Sequence, residues 1–377
     1  MNLKRFRSIY TRSTGSGWIR FGLFFTASVT NACRTEALKE SIAMTGCRRL
    51  KLNSMAFVLL LVLLAAGLSS CASGNFRNNS ADGGQDTLRI VTDIFPAYDW
   101  VRVICGENPG NAEVTMLLDN GVDLHSFQPT VDDILQISTC DLFIYVGGES
   151  AAWAEDAIAE AANEDLVVIN LLEILGDEAR EEELAEGMRK ARGEGEEEPE
   201  KDEHVWLSLK NAAFFTDCIA ETLSGLDSEN ADVYRNNADA YEERLSELDE
   251  EYRLAVSASK VKTLLFADRF PFRYLFDDCG LDYYAAFAGC SAETEASFET
   301  IVFLADKVNE LSLHSILIID GNDGKLAGTV RSNTGTKDQK ILTLDSMQSV
   351  AKKDAAGGVS YLSVMEDNLE VLKEALK

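Results

Sequence analysis

The chain has 377 residues, of which 46% are hydrophobic and 26% charged, and its formal net charge is −28. The length suits two domains of ordinary size, and the composition is typical of a globular protein and excludes one with many membrane spans. Residues 1–70 carry a net charge of +8, which leaves −36 on the rest. So acidic a chain argues against nucleic acid as a partner, because binding phosphates requires clustered Lys and Arg.

An export signal is predicted near the amino terminus. An apolar run at residues 56–68 follows three basic side chains and is shorter than a membrane-spanning helix, which needs about 20 residues. The sequence LSSC, which ends at Cys71, comes next and resembles the lipobox of bacterial lipoproteins, in which the cysteine is lipidated and begins the mature chain. We predict a signal region at residues 1–70, a lipidated Cys71 and a flexible tether at residues 71–85. Met44 is a candidate translation start, in which case the residues before it are a gene-calling artefact.

The chain has eight cysteines, three of which lie in or at the end of the signal region. The other five lack the Cys-x-x-Cys spacing of a thiolate metal site, and their odd number leaves at least one unpaired. We interpret them as small buried apolar residues, and their spacing leaves open whether Cys279 and Cys290 pair. The five are Cys105, Cys140, Cys218, Cys279 and Cys290.

From residue 86 onward, short apolar runs alternate with segments of helical periodicity. Most runs are rich in Val, Ile, Leu and aromatic residues, as buried parallel strands are. The predicted strands are 88–92, 114–118, 142–146, 166–170, 263–267, 281–287, 315–320 and 340–344, and the clearest predicted helices are 130–139, 152–162 and 298–311. The alternation predicts an α/β fold with two lobes, each a four-stranded, mainly parallel sheet flanked by helices.

One long helix is predicted between the two sets of strands. Residues 228–259 contain no proline and no glycine, and their apolar side chains recur at helical spacing. A helix of that length would span about 45 Å and is stiffer than a loop hinge. We predict an amino-terminal lobe at residues 86–227, this rigid linking helix, and a carboxy-terminal lobe at residues 260–377. Residues 177–203 contain thirteen acidic and five basic side chains and very few apolar ones. Such a segment cannot bury enough apolar surface to offset the entropy of ordering it, so we predict a mobile loop.

Histidine is scarce, with only three residues, so each position is informative. His125 lies in a loop between the second strand and a helix, His204 lies where the acidic segment ends, and His314 sits at a strand edge with no predicted role. Asp268 and Asp345 directly follow predicted strands of the second lobe, which is where ligands bind in open α/β sheets. Imidazoles and carboxylates together can bind a metal, but these residue types do not by themselves require one.

Several segments resemble the zinc-binding members of the solute-binding lipoprotein family of zinc and manganese ABC transporters. The most specific are HSFQPT at residues 125–130 and DEHVWLS at residues 202–208, which follows the acidic segment. Residues 281–300 and 341–346 are also similar, and the resemblance covers essentially all of residues 86–377. It implies two α/β lobes joined by a long helix, with the metal bound between the lobes.

The resemblance also implies metal ligands, position by position. His125 and His204 match the first two ligands of the family, and Asp345 matches the Asp that follows a late strand. Arg269 stands at the usual position of the third ligand and cannot bind a cation, so Asp268, one residue earlier, is our candidate. Three acids are expected to hold the imidazoles from behind: Asp123, Asp202 and Glu203.

The function that follows is an extracytoplasmic receptor that captures Zn²⁺ and delivers it to the membrane permease of an ABC importer. Two His and two carboxylates suit four-coordinate Zn²⁺, and bidentate carboxylates also suit Mn²⁺, so a Mn²⁺ receptor is one alternative. A surface adhesin lipoprotein is another, since a fold does not fix its function. We expect a monomer anchored through Cys71 to the outer face of the cytoplasmic membrane. We expect no enzymatic activity, because no HExxH, GxSxG or P-loop motif occurs.

Overall fold

The computed structural model describes residues 87–106, 112–183, 186, 188, 200–291 and 295–377. All of them belong to one structural unit, Gln85–Lys377. The predicted signal region, the predicted lipidation of Cys71 and the predicted tether all fall outside the described residues. Within the described part of the chain, no helix combines the length and the apolar character that crossing a bilayer requires.

The first four strands form a parallel sheet in the order β2-β1-β3-β4. They are β1 (Leu88–Thr92), β2 (Ala112–Met116), β3 (Leu142–Tyr145) and β4 (Val167–Asn170). Ile90, in the central strand β1, pairs with Val114 on one side and with Leu142 on the other. Every residue of β3 is buried, as expected where helices cover both faces of a sheet. The predicted sheet is confirmed, with strand ends shifted by up to two residues.

The last four strands form a second parallel sheet in the order β6-β5-β7-β8. They are β5 (Thr263–Phe270), β6 (Asp282–Ala288), β7 (Ser315–Ile319) and β8 (Lys340–Leu344). Strand β5 is longer than predicted, because its register against β6 shifts between Phe266 and Arg269 and pairing then resumes as far as Phe270. Asp268 therefore lies at an irregularity inside a strand, and the prediction that it follows the strand end was wrong.

Helices connect the parallel strands, because a parallel pair cannot be joined by a tight hairpin. In the described residues they are α1 (Phe95–Cys105), α2 (Val131–Thr139), α3 (Ala152–Ala159), α4 (Leu171–Leu175), α5 (Leu209–Leu226), α6 (Ala231–Ala258), α7 (Arg273–Cys279), α8 (Phe298–Leu311), α9 (Lys325–Asn333), α10 (Lys352–Ala356) and α11 (Tyr361–Ala375). Sheet and helix order together confirm the predicted α/β fold with two lobes.

The long helix α6 runs between the two sheets in the chain and packs on α5, α1 and α11. Its 28 residues correspond to about 42 Å. It begins three residues later than predicted, with Asn230 as its N-cap. Its buried face carries one side chain per turn: Tyr234, Ala238, Tyr241, Leu245, Leu248, Tyr252 and Val256. This apolar stripe, and not intrinsic propensity alone, holds so long a helix in place.

The two lobes share one hydrophobic core and are tied together by buried hydrogen bonds. The cluster includes Phe143 from the first sheet and Phe266 from the second. The Trp206 indole donates to the carbonyl of Ser346 at 2.9 Å, and the Tyr361 hydroxyl donates to the carbonyl of Trp206 at 2.7 Å. These groups are buried, so separating the lobes would leave polar atoms without partners.

The ends of the acidic segment are held against each other. Glu181 and Lys201 form an antiparallel bridge, the Glu182 N–H donates to the carbonyl of Glu200 at 2.8 Å, and the Asp202 N–H donates to the carbonyl of Arg180 at 2.9 Å. The residues between these ends are mostly outside the described part of the chain. The contacts between the two ends fix the course of the backbone at Asp202, two residues before His204.

The five cysteines of the two lobes are all free. Cys105, Cys140 and Cys218 are buried, as predicted, whereas Cys279 and Cys290 are only partly buried. Cys279 and Cys290 do not pair, which settles the question that their spacing left open.

Candidate metal centre

His125 is placed by a short 3₁₀ turn, Leu124–Ser126, that follows β2. Asp123 caps this turn, because one of its carboxylate oxygens accepts the N–H of His125 at 3.0 Å. The imidazole Nδ1 lies 2.7 Å from the Ser150 hydroxyl. A proton on Nδ1 that points to Ser150 would leave the Nε2 lone pair free for a metal.

His204 is fully buried and is held by Asp202 from two directions. The same carboxylate oxygen of Asp202 accepts the backbone N–H of His204 at 2.9 Å and lies 2.8 Å from its Nδ1. The Tyr274 hydroxyl donates to the backbone carbonyl of Asp202 at 2.9 Å and fixes that residue in turn. The carboxylate therefore favours the tautomer with the proton on Nδ1 and directs Nε2 into the site.

The two imidazoles face each other through these Nε2 atoms, which are 3.2 Å apart. A tetrahedral zinc ion bound at about 2.0–2.1 Å from each nitrogen would hold them about 3.3 Å apart. Burial, together with the nearby His204, lowers the pKa of His125 to about 3. The His125 ring is therefore neutral at neutral pH, which is the form that binds metal ions.

A third metal-binding side chain, Cys290, lies beside the two imidazoles. Its sulfur and one ring nitrogen from each of His125 and His204 all lie within 4.8 Å of one another, and this is the one such group of three or more in the described residues. Burial, followed by the charge of Glu182, raises the pKa of the Cys290 thiol. Sequence reasoning missed Cys290, although it lies two residues beyond the carboxyl end of β6, where α/β sheets bind ligands.

Glu203 stands behind His125 and is almost fully buried. One of its carboxylate oxygens accepts the Ser150 N–H at 2.9 Å, and the other lies 3.5 Å from His125 Nδ1 and has no hydrogen-bond partner. Burial raises the pKa of this carboxyl, against the opposing effect of its hydrogen bonds with Ser150. Of the three acids expected to support the imidazoles, Asp202 and Glu203 thus lie beside an imidazole Nδ1, whereas Asp123 is bonded to the backbone N–H of His125.

Asp268 is buried, and both oxygens of its carboxylate accept hydrogen bonds from backbone N–H groups. One oxygen accepts the N–H of Arg269 at 2.8 Å and the other accepts the N–H of Ile319 at 2.9 Å. Burial raises its pKa, although the hydrogen bond from Ile319 acts in the opposite direction. Asp268 is not a member of the group formed by the imidazoles and Cys290, and its contacts are those of a residue that joins β5 to β7.

Arg269, which stands where the family resemblance implies a ligand, points across the lobes. Its guanidinium donates to the free oxygen of the Asp123 carboxylate, with Nη2 and Oδ2 2.6 Å apart. Burial opposes ionisation of Asp123, but the hydrogen bond and charge of Arg269 prevail and lower its pKa. Arg269 thus connects the second lobe to the turn that carries His125.

Asp345 follows β8 directly, as predicted. One carboxylate oxygen accepts the N–H of Met347 at 2.7 Å, and Asn368 in α11 bonds to both the backbone N–H and the carbonyl of Asp345. Burial, followed by the charge of Asp320, raises the pKa of Asp345 to about 6. Asp345 is likewise outside the group of three, and the exposed His314 lies at the opposite end of β7 from the carboxyl ends of the strands.

A family model described as "Zinc-uptake complex component A periplasmic" matches residues 90–375. The chain is 28% identical over 321 residues to the high-affinity zinc uptake system protein ZnuA of Bacillus subtilis, an alignment that covers 84% of this chain and 97% of that protein. It is 28% identical over 322 residues to the zinc-binding lipoprotein AdcA of Streptococcus pneumoniae, which covers 84% of this chain. The chain spans 60% of the length of that lipoprotein and 55% of the zinc-binding protein AdcA of Streptococcus pyogenes.

Among solved structures, the fold is similar to the laminin-binding protein of Streptococcus agalactiae, described as bifunctional, with adhesin and metal-transporting activity. The TM-score is 0.61 and the sequence identity 26%, and the match covers 77% of this chain and all of that one. Both lobes and the helix between them therefore have counterparts in a solved metal-transporting protein.

Proposed function

The chain belongs to the family of periplasmic zinc-uptake components, and we propose that it captures Zn²⁺ outside the cytoplasm and delivers it to the permease of an ABC importer. The single observation that carries the proposal is the Nε2 to Nε2 distance of 3.2 Å between His125 and His204. Few other functions require a buried and a partly buried imidazole whose Nε2 atoms face one another at this distance.

The acids behind the imidazoles support metal capture. Asp202 and Glu203 lie close to the imidazole Nδ1 atoms, and the charge of Asp123 is balanced by Arg269. A carboxylate behind a metal-binding imidazole fixes its orientation and makes it a better ligand. We propose that these acids hold His125 and His204 ready for the metal, and that Asp345 supplies a further oxygen ligand from the second lobe.

The selectivity we propose is for Zn²⁺ over Mn²⁺. Sites built from nitrogen and oxygen ligands bind Zn²⁺ more tightly than Mn²⁺ as a general rule, and imidazole suits Zn²⁺ well. The relatives from Bacillus subtilis and Streptococcus pneumoniae are named for zinc. We propose transport without catalysis, since delivery needs reversible binding and not a position kept open for reacting water.

We further propose that the protein acts as a monomer anchored outside the cytoplasmic membrane through a lipid on Cys71. The LSSC sequence supports this, and so does the similar Streptococcus pneumoniae protein, which is named a lipoprotein. A lipid anchor would keep the receptor near the permease without a membrane-spanning helix.

The test is a metal titration of the full-length protein. After dialysis against chelator, Zn²⁺ and Mn²⁺ are titrated in competition, with His125→Ala as the variant and the exposed His314→Ala as its matched control. We expect one Zn²⁺ per chain, bound more tightly than Mn²⁺, with binding strongly weakened only in His125→Ala. The absence of stoichiometric metal in the unaltered protein would overturn the proposal.

A surface adhesin is the second candidate, favoured by the likeness to the laminin-binding protein of Streptococcus agalactiae. The same metal titration, together with a laminin-binding assay, decides between the two functions. If the unaltered protein binds immobilised laminin but holds no stoichiometric metal, adhesion becomes the better supported function.

A further inference from the structure

We propose that the Cys290 thiolate is the third protein ligand of the zinc ion, alongside the imidazoles of His125 and His204. The inference rests on the proposed function, because it concerns the same site. It assigns to a cysteine the place for which the sequence offered Asp268 as the candidate.

The geometry needs only a small adjustment to bind a metal. A tetrahedral zinc ion with one sulfur ligand at about 2.3 Å and nitrogen ligands at about 2.0–2.1 Å holds sulfur and nitrogen about 3.6 Å apart. The Cys290 sulfur and one ring nitrogen from each histidine already lie within 4.8 Å of one another, and the two Nε2 atoms are 3.2 Å apart. Placing the Cys290 sulfur at about 3.6 Å from both Nε2 atoms would complete three corners of a tetrahedron.

The backbone brings Cys290 to this place by a close approach at Gly289. A Cβ at position 289 would come within 2.9 Å of the Phe270 carbonyl oxygen and within 3.1 Å of the His204 ring. The Cys290 N–H then donates to a carboxylate oxygen of Glu182 at 2.7 Å, which fixes the residue against the end of the acidic segment. The chain therefore runs directly against His204, and only glycine fits there.

An orphaned oxygen gives independent evidence that a cation belongs here. Glu203 is 3% exposed, and its Oε2 atom lies 3.5 Å from His125 Nδ1 without a hydrogen-bond partner. A buried polar atom without a partner costs free energy and needs an explanation. A divalent ion on the far side of the His125 ring would strengthen the Nδ1–H donor and supply the positive charge that this carboxylate faces.

Asp268 and Arg269, the residues at and beside the family's third-ligand position, are already engaged. Both oxygens of Asp268 accept backbone N–H groups, and the guanidinium of Arg269 is paired with Asp123. Strand β6 pairs with β5, so Cys290 follows the end of the strand next to the one that carries Asp268 and Arg269. The proposed third ligand therefore lies just beyond the end of β6 and not on β5.

A thiolate changes what the site selects. The thiol releases its proton to solvent when the metal binds, because the thiolate is the ligand. A sulfur donor with two imidazoles favours Zn²⁺ and disfavours Mn²⁺, which prefers carboxylate, carbonyl and water oxygens. Cys290 would therefore sharpen the discrimination between these two ions beyond what imidazoles and carboxylates achieve.

The experiment is X-ray absorption at the zinc edge of the full-length protein loaded with one equivalent of Zn²⁺. The unaltered protein should show one sulfur neighbour at about 2.3 Å. Cys290→Ser should lose this sulfur and bind Zn²⁺ at least about tenfold more weakly. Cys279→Ser is the matched control, because Cys279 is also free and partly buried, and it should keep both the sulfur and the affinity.

The possible outcomes separate the two proposals. Stoichiometric zinc with only nitrogen and oxygen neighbours in the unaltered protein would overturn the role of Cys290 and leave the zinc receptor standing. A sulfur neighbour that persists in Cys290→Ser would also overturn it. No stoichiometric zinc at all would overturn the receptor itself. Because the decisive spectrum is that of the unaltered protein, a variant that failed to fold would not affect it.

Discussion

Arg269 reaches across the two lobes and donates a hydrogen bond to Asp123, with Nη2 and Oδ2 2.6 Å apart. The other oxygen of Asp123 accepts the backbone N–H of His125. One carboxylate thus links a strand of the second lobe to a proposed ligand on the first. Arg269, at the position where the family resemblance implies a ligand, thus contacts the carboxylate that caps the turn of His125.

A double-mutant cycle with Asp123→Asn and Arg269→Gln should reveal this link. Both side chains are largely buried, at 24% and 20% exposure, so we expect a coupling of about 1.5–3 kcal/mol in urea unfolding of the metal-free protein. The exposed pair Arg235 and Glu221 is the control and should show a far smaller coupling. Equal couplings for the two pairs would show that the lobes gain nothing specific from Arg269.

The stability of the metal-free protein should depend on pH through His125. The pKa of this imidazole is about 3 in the folded protein and about 6.5 when unfolded, so below pH 6.5 the unfolded chain binds a proton that the folded chain does not. Stability is therefore lost as pH falls from 6.5 toward 3, by about 2 kcal/mol between pH 6.5 and pH 5. Urea unfolding of the unaltered protein and of His125→Gln at both pH values isolates this contribution. An identical pH dependence in the two proteins would contradict it.

Asp268→Ala should lower the stability of the fold and leave the zinc stoichiometry unchanged. The substitution removes the acceptor of two backbone N–H groups, those of Arg269 and Ile319, and we expect a loss of about 2–4 kcal/mol in unfolding free energy. Asp306→Ala, at an exposed position of α8, is the control and should be nearly neutral. Loss of zinc stoichiometry at unchanged stability would instead make Asp268 the ligand that the sequence suggested.

Gly289→Ala should disturb the site through packing alone. Its Cβ would come within 2.9 Å of the Phe270 carbonyl oxygen and 3.1 Å of the His204 ring, so either the strand end or the imidazole must move. We expect about 1–3 kcal/mol of destabilisation and weaker zinc binding by calorimetry. Gly328→Ala in α9 has open space around the added methyl group and should be neutral or slightly stabilising. A fully native Gly289→Ala protein would show that this approach is not tight.

Local residue patterns were enough to predict most of the architecture. The apolar runs predicted all eight strands, because strands in parallel sheets that helices cover are largely apolar. The helical spacing of Tyr234, Tyr241 and Tyr252 gave the long helix, because one side chain per turn must face the core. His125 and His204 could be proposed as metal ligands as well, because the segments that contain them resemble those of the zinc-binding family.

The composition of the site beyond the imidazoles depended on tertiary structure. No local pattern shows that β5 continues past Asp268, because the shift in register depends on its pairing with β6. That pairing directs Asp268 to backbone N–H groups of β5 and β7 and Arg269 to Asp123 on the other lobe. It also brings Cys290 beside two histidines that are 165 and 86 residues earlier in the chain. Sequence spacing carries no information about such a meeting, because strands that are neighbours in a parallel sheet are joined by long crossovers.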